Sequence, residues 1–309
     1  MAEHSAPHGL KAVVTALCAN LLIAVGKIVV FIFTASAAML AEAIHSLADC
    51  ADQALLLYGN RRSRRRPDRL HPFGYGREQY FYAFIVSLVL FFVGGCFAIN
   101  EAVQKIRQPH LIEGSVWLPA GILIFALVLE TYSLFVALRE SRAVKGKKSY
   151  ARFVLDAKNP ELIVCLMEDA AAVLGLIIAL ISVLAAYLTG NPLFDAIGSG
   201  LIGLILIFVA LVLGVQMKSL LIGESADEET LALIERELVG GGIRAVIHNK
   251  TVHLSADNLL VAVKVETEET LDAAAVAAEI NKAEARIRAA LPQFRLAVYL
   301  EPDTYAPRP

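Results

Sequence analysis

Six apolar stretches, each close to the length needed to cross a bilayer, constrain this 309-residue chain more than any other feature. They run approximately over Leu10–Thr34, Ala38–Tyr58, Tyr80–Asn100, Val116–Leu138, Pro160–Tyr187 and Phe194–Val215. A spanning helix needs about 20 predominantly apolar residues. The chain is 57% hydrophobic, whereas an average soluble chain is about 45–50% apolar even with glycine counted. The excess lies before about residue 214 and fades afterwards. The expectation is an α-helical membrane protein, with a six-helix transmembrane domain over 1–215 and a cytoplasmic α+β domain over 216–309.

Basic residues orient the spans. The segment between spans two and three, Gly59–Arg77, carries seven arginines, and Arg139–Lys158 between spans four and five carries seven lysines and arginines. The loops on the other side offer Lys105 and Arg107. The positive-inside rule makes the basic loops cytoplasmic and both termini with them. The run Arg61–Arg69 is read as setting topology and meeting anionic headgroups. A net charge of −2 points away from a nucleic-acid partner. Cys18, Cys50, Cys96 and Cys165 all lie in apolar segments with no CxxC pair, so buried thiols are expected rather than disulfides. The N-terminal stretch has no basic n-region and no clear cleavage site, so the first apolar segment reads as a retained span.

Beyond Lys218 the pattern changes. Asp227 opens an amphipathic helix, two β-branched runs flank a turn at Ser255–Asn258, a helix stops before Pro292, and Arg295–Pro302 reads as a strand. The order is αββαβ, a ferredoxin-like domain whose helices would cover one sheet face.

The second span carries the chemistry. Glu42, His45, Asp49 and Asp52 follow i, i+3, i+7, i+10 spacing and form one polar stripe on an otherwise apolar helix. His45 and Asp49, one turn apart, are best placed for joint ligation. In the fifth span, Glu168 and Asp169 are neighbours about 100° apart around the axis, and Cys165 sits one turn before Asp169. A charged side chain at the bilayer centre costs about 2.5–3.5 kcal/mol on insertion scales, and three unpartnered carboxylates would cost about 8–10 kcal/mol. Imidazole with carboxylates is a donor set suited to a divalent transition metal, which would repay that cost. Cys–Asp, Glu–Asp or single-Asp contributions from span five are all physically open. The small run Ala170–Gly175 permits close helix approach and is expected to bring span five against span two.

The segments AEAIHSLAD (Ala41–Asp49), HPFGYGREQYF (His71–Phe81), MEDAAAVLG (Met167–Gly175) and LLIGESAD (Leu220–Asp227) resemble the cation diffusion facilitator family over essentially the whole chain. The branch it looks most like is the zinc-transporter-9-like one, which also carries an ED pair in span five. The resemblance implies a transport site built from His45 and Asp49 on span two and two residues of span five. Asp169 matches the second of these. The position four earlier, commonly His, is Cys165 here, leaving Glu168 as first substitute and Cys165 behind it. The family's loop site would use Asp68 and His71, but Tyr75 stands where a further histidine is expected. A metal site in the tail would have to draw on His248 and His253, with Glu301 and Asp303.

The resemblance further implies secondary active efflux of a divalent metal, Zn²⁺ first and Mn²⁺, Fe²⁺ or Co²⁺ as rivals, exchanged for protons by alternating access in a homodimer joined through the tail. The ion is cargo, and no cofactor is expected. The rival reading is a non-transporting metal sensor or scaffold subunit of the same fold. An intramembrane protease is disfavoured, because HExxH is absent and His45 is the one histidine within an expected span. With no organellar presequence visible, a bacterial cytoplasmic membrane is the expected location.

Overall fold

The structure is a computed structural model that describes residues 9–34, 37–108, 117–146 and 149–303. The side chains of 33–34, 37–42, 44–45 and 117–119 lie outside that description, as do His4, His8 and His110 altogether. By Cα packing the chain divides into two compact units. One comprises the residues up to Arg64 with Glu78–Lys218, the other Arg65–Arg77 with Ser219 onwards.

The first unit is helical: α1 (Leu10–Thr34), α2 (Ala37–Ser63), α3 (Glu78–Val89), α4 (Phe97–Arg107), α5 (Trp117–Lys145), the short α6 (Tyr150–Asp156), α7 (Pro160–Thr189) and α8 (Leu193–Ile222). α3 and α4 are joined through a π-helical segment, Leu90–Cys96, into one 30-residue rod. Among the described residues, five rods are long and apolar enough to cross a membrane: Leu10–Ile32, Glu78–Arg107, Ala120–Lys145, Pro160–Thr189 and Leu193–Ile222. The 27-residue α2 carries Glu42, Asp49 and Asp52, and the side chains of its first turns lie outside the described residues. Large apolar side chains such as Val128, Ile181, Leu188, Phe208 and Val215 stand on the outer surfaces of the rods. Contiguous apolar surface on that scale is foreign to a soluble monomer and suits contact with lipid tails.

Helix ends are satisfied locally and from afar. Asn159 Oδ1 accepts from the Leu162 N–H at 3.2 Å, with Pro160 in the first turn of α7. The carboxylate of Glu140 on α5 accepts from the Gly9 N–H at 2.8 Å, capping the start of α1. The π segment allows very close packing against α8. A Cβ on Gly95 would lie 2.5 Å from Ile207 Cγ1, and one on Gly203 2.9 Å from Ile99 Cγ1, so only glycine fits at either place. At the far end of the same pair, Lys105 Nζ lies 2.9 Å from each of Glu101, Asp195 and Ser199.

The second unit holds α9 (Glu228–Leu238), β1 (Ile243–Ser255), β2 (Asn258–Thr267), α10 (Ala273–Ala290) and β3 (Arg295–Asp303). The sheet order is β1-β2-β3, with β1 antiparallel and β3 parallel to β2. β2 alternates strictly, with Leu259, Val261, Val263 and Val265 buried beneath Ile234 and Leu238 of α9 and Ala283 and Ile287 of α10. Full burial of each such aliphatic side chain contributes about 1.5–3 kcal/mol. Asp227 and Asp272 cap the two helices through the N–H groups of Thr230 and Ala275. Arg286 Nε donates to the Glu237 carbonyl at 2.8 Å, closing the end of α9.

Candidate metal centre

α2 presents a buried polar face. Asp52 and Gln53 are almost fully buried and Asp49 is half-buried. His45 lies one turn before Asp49 on the same helix, but its side chain and that of Glu42 fall outside the described residues. On α7, Cys165, Glu168 and Asp169 are all buried. The capped, proline-started helix places Cys165 and Asp169 one turn apart, with Glu168 turned aside.

Two neutral side chains from other helices reach these acids. Gln53 Nε2 donates to Glu168 Oε2 at 2.7 Å, while the Cys165 thiol reaches Gln53 Oε1 at 3.5 Å. Ser133 Oγ on α5 donates to Asp169 Oδ2 at 2.8 Å. One turn from Ser133 lies Glu130, also buried, which feels the charges of Asp169, Asp49 and Lys27. Glu168 in turn feels Asp52, Asp49, Asp169 and Glu130. Glu168 Oε1 and Asp52 Oδ1 are buried with no hydrogen-bond partner among the described residues. An unsatisfied buried polar atom costs about 1–3 kcal/mol, more when charged, and a bound cation would remove that cost.

The expected ligands are brought together in part. Glu168 meets Gln53 of α2, and Asp169 meets Ser133 of α5, inside one acid-rich region. Among the described residues, no three His, Cys, Asp or Glu side chains converge closely enough to hold an ion. The small run behaves differently from expectation. Ala170 and Ala171 line an apolar groove of about 410 Å³ with Leu201, Leu204 and Phe208 of α8, and a Cβ on Gly175 would face Ile202. Ala170, Ala171 and Gly175 therefore turn towards α8, and polar contacts join α7 to α2. A further one is Asn60 Nδ2 donating to Glu161 Oε1, both buried.

In the Arg65–Arg77 loop, Asp68 is committed to backbone and ring. Its Oδ1 accepts from the N–H groups of Leu70 and His71 at 3.0 and 2.8 Å, and its Oδ2 from the Tyr75 hydroxyl. The Tyr75 hydroxyl, followed by the His71 N–H, holds the Asp68 carboxyl below its ordinary pKa. The His71 and Tyr75 rings meet at a tilt of 38° with centroids 4.3 Å apart. In the tail, His253 is buried edge-on to Phe294, whereas His248 is exposed. Glu301 and Asp303 lie 3.2 and 2.6 Å from Lys264 Nζ, and Lys264 is also the strand partner of His248. The Lys264 ammonium thus engages both tail acids.

Gln53, Ser133 and Glu130 escaped the sequence reading. Gln53 lies four residues after Asp49 on the polar stripe, and Glu130 is an acid within the fourth span. Both carried the same signal as the acids that were noticed. Ser133 carried none, since a lone serine is unremarkable in a membrane helix.

The family profile described as "Cation efflux transmembrane domain" matches residues 13–222. The chain is 35% identical over 241 residues to "Proton-coupled zinc antiporter SLC30A9, mitochondrial" of Xenopus laevis, covering 77% of this chain and 43% of that protein. It is 34% identical over 232 residues to "Metal tolerance protein C4" of Arabidopsis thaliana, covering 74% of this chain and 50% of that protein. It is 26% identical over 226 residues to "Manganese efflux system protein MneP" of Bacillus subtilis, covering 72% and 71%. The chain spans about half or less of the length of the first two relatives.

Proposed function

Because the chain belongs to the cation diffusion facilitator family, and to its zinc-transporter-9-like branch, we propose that it is a secondary active efflux carrier for divalent transition-metal ions, exchanging metal for protons. The reading rests on one observation above all. Two adjacent acids of α7 are buried in an apolar helical layer, and each is held by a neutral hydrogen-bond donor from a different helix. In this proposal His45, Asp49, Glu168 and Asp169 bind the ion between α2 and α7. Imidazole and carboxylates must shed protons to ligate metal, so protons arriving from the opposite side compete for the same lone pairs and release it.

The proposal extends to architecture. α2 is the sixth span, crossing the bilayer with Asp49 and Asp52 turned inward, as intramembrane ionisable groups do. The division at about residue 215, a ferredoxin-like tail and a homodimer joined through that tail complete it. The basic loops place both termini on the cytoplasmic side, and a bacterial cytoplasmic membrane is the location we favour. Zn²⁺ leads as cargo, since two relatives are named for zinc transport or metal tolerance. Mn²⁺ follows, in keeping with the oxygen-rich donor set and the manganese relative. Uptake into proteoliposomes, run for Zn²⁺ and Mn²⁺ with and without a pH gradient, tests this reading. Gradient-dependent metal flux supports it. Metal binding without flux points instead to the non-transporting sensor or scaffold.

A further inference from the structure

We propose that Gln53 is the residue that positions the span-five donors of the transport site, presenting Glu168 to the metal and withholding Cys165 from it; this rests on the transporter reading above. The chemistry of a carboxamide forces the arrangement. Its NH₂ end only donates and its oxygen only accepts. Glu168 in the ionised form that ligates metal only accepts, so Nε2 faces its Oε2 at 2.7 Å and Oε1 faces the opposite way. What lies there is the Cys165 sulfur, 3.5 Å off, whose S–H is the donor that oxygen can use. One fully buried side chain therefore engages both candidates for the fourth ligand. It leaves them in different states. Glu168 keeps Oε1 buried and without a hydrogen-bond partner among the described residues, whereas the thiol is occupied.

The donor is also neutral. A lysine or arginine in its place would orient Glu168 but would cancel its charge and repel the cargo. An amide orients the carboxylate and leaves its charge for the ion. Ser133 does the same for Asp169, occupying one oxygen with an uncharged hydroxyl. Each α7 acid is thereby set to offer a single oxygen. The consequence is selectivity: oxygen and imidazole donors suit Zn²⁺ or Mn²⁺, and a thiolate would favour a softer ion such as Cd²⁺.

The test is Zn²⁺ and Cd²⁺ uptake into proteoliposomes by the full chain and four variants. Cys165→Ala should keep Zn²⁺ flux and the Cd²⁺ to Zn²⁺ ratio at wild-type levels. Gln53→Leu should lower Zn²⁺ flux by about 10-fold or more, as loss of an outer-shell partner does, and should raise the Cd²⁺ to Zn²⁺ ratio as the thiol is released. Gln53→Leu with Cys165→Ala should return that ratio to wild type, which a merely structural loss would not do. A collapse of flux in Cys165→Ala, or an unchanged ratio in Gln53→Leu, overturns the proposal. Because Cys165→Ala is a mild change, a failure of Gln53→Leu to fold leaves it open to refutation. Asp169→Asn is the separate control: undiminished flux there overturns the transport-site reading itself and not the role of Gln53.

Discussion

Ser133 of α5 donates its hydroxyl hydrogen to Asp169 Oδ2 of α7 at 2.8 Å, and both residues are buried. The contact binds a helix with no expected ligand to the helix that carries two. Ser133→Ala leaves that oxygen unpaired, at a cost of about 1–3 kcal/mol. The expected result is a lower thermal midpoint in detergent together with reduced metal flux, and Ser133→Thr should restore both. Unchanged flux in the alanine variant would separate Asp169 from its hydroxyl partner functionally.

Asp49→Asn and Asp169→Asn keep side-chain shape but remove a negative charge. Each should lower Zn²⁺ flux by about 10-fold or more, equivalent to about 1.4 kcal/mol of lost binding, while protein yield stays normal. Vesicle uptake measured beside a binding titration tells lost affinity from lost turnover.

Asn60→Leu removes the amide that donates to buried Glu161 of α7. A buried carboxyl without its donor should destabilise the fold by about 1–3 kcal/mol. Asn60→Leu combined with Glu161→Leu should recover much of that loss, because both polar partners are then gone. Thermal unfolding of the single and double variants reads the difference.

Asp68 provides a pH test outside the membrane. Its folded pKa is depressed, chiefly by the Tyr75 hydroxyl. A depressed carboxyl contributes stability that is present above its unfolded pKa, about 3.9, and is lost as pH falls through the folded value. Tyr75→Phe should raise the Asp68 midpoint towards the ordinary range and reduce the acid sensitivity of the loop. Carbon-13 NMR titration of the Asp68 carboxyl would show it, and an unmoved midpoint would contradict the assigned cause.

Much of the tail was legible in sequence. The αββαβ order, the turn at Ser255–Asn258 and the inward face of β2 all follow from two-residue alternation and turn chemistry. His248 and His253, five residues apart on β1, stand one exposed and one buried, as two-residue alternation requires of an odd separation. Less legible was the Glu78–Arg107 rod. Nothing in an apolar run announces the π-helical segment Leu90–Cys96, which matches the close seating of Gly95 against Ile207 on a helix more than a hundred residues later.

By itself, the order of residues determined the membrane class, the apolar rods and the buried acid Asp52 of α2. Those properties come from local sums of hydropathy, charge and helical period. Tertiary structure alone decided that Gln53 would meet Glu168 from 115 residues away, that Ser133 would meet Asp169, and that Ala170 and Ala171 would line a groove with α8. A buried carboxylate takes whichever donor packing brings within about 3 Å, and helix packing depends on the shapes of whole faces rather than on any one segment.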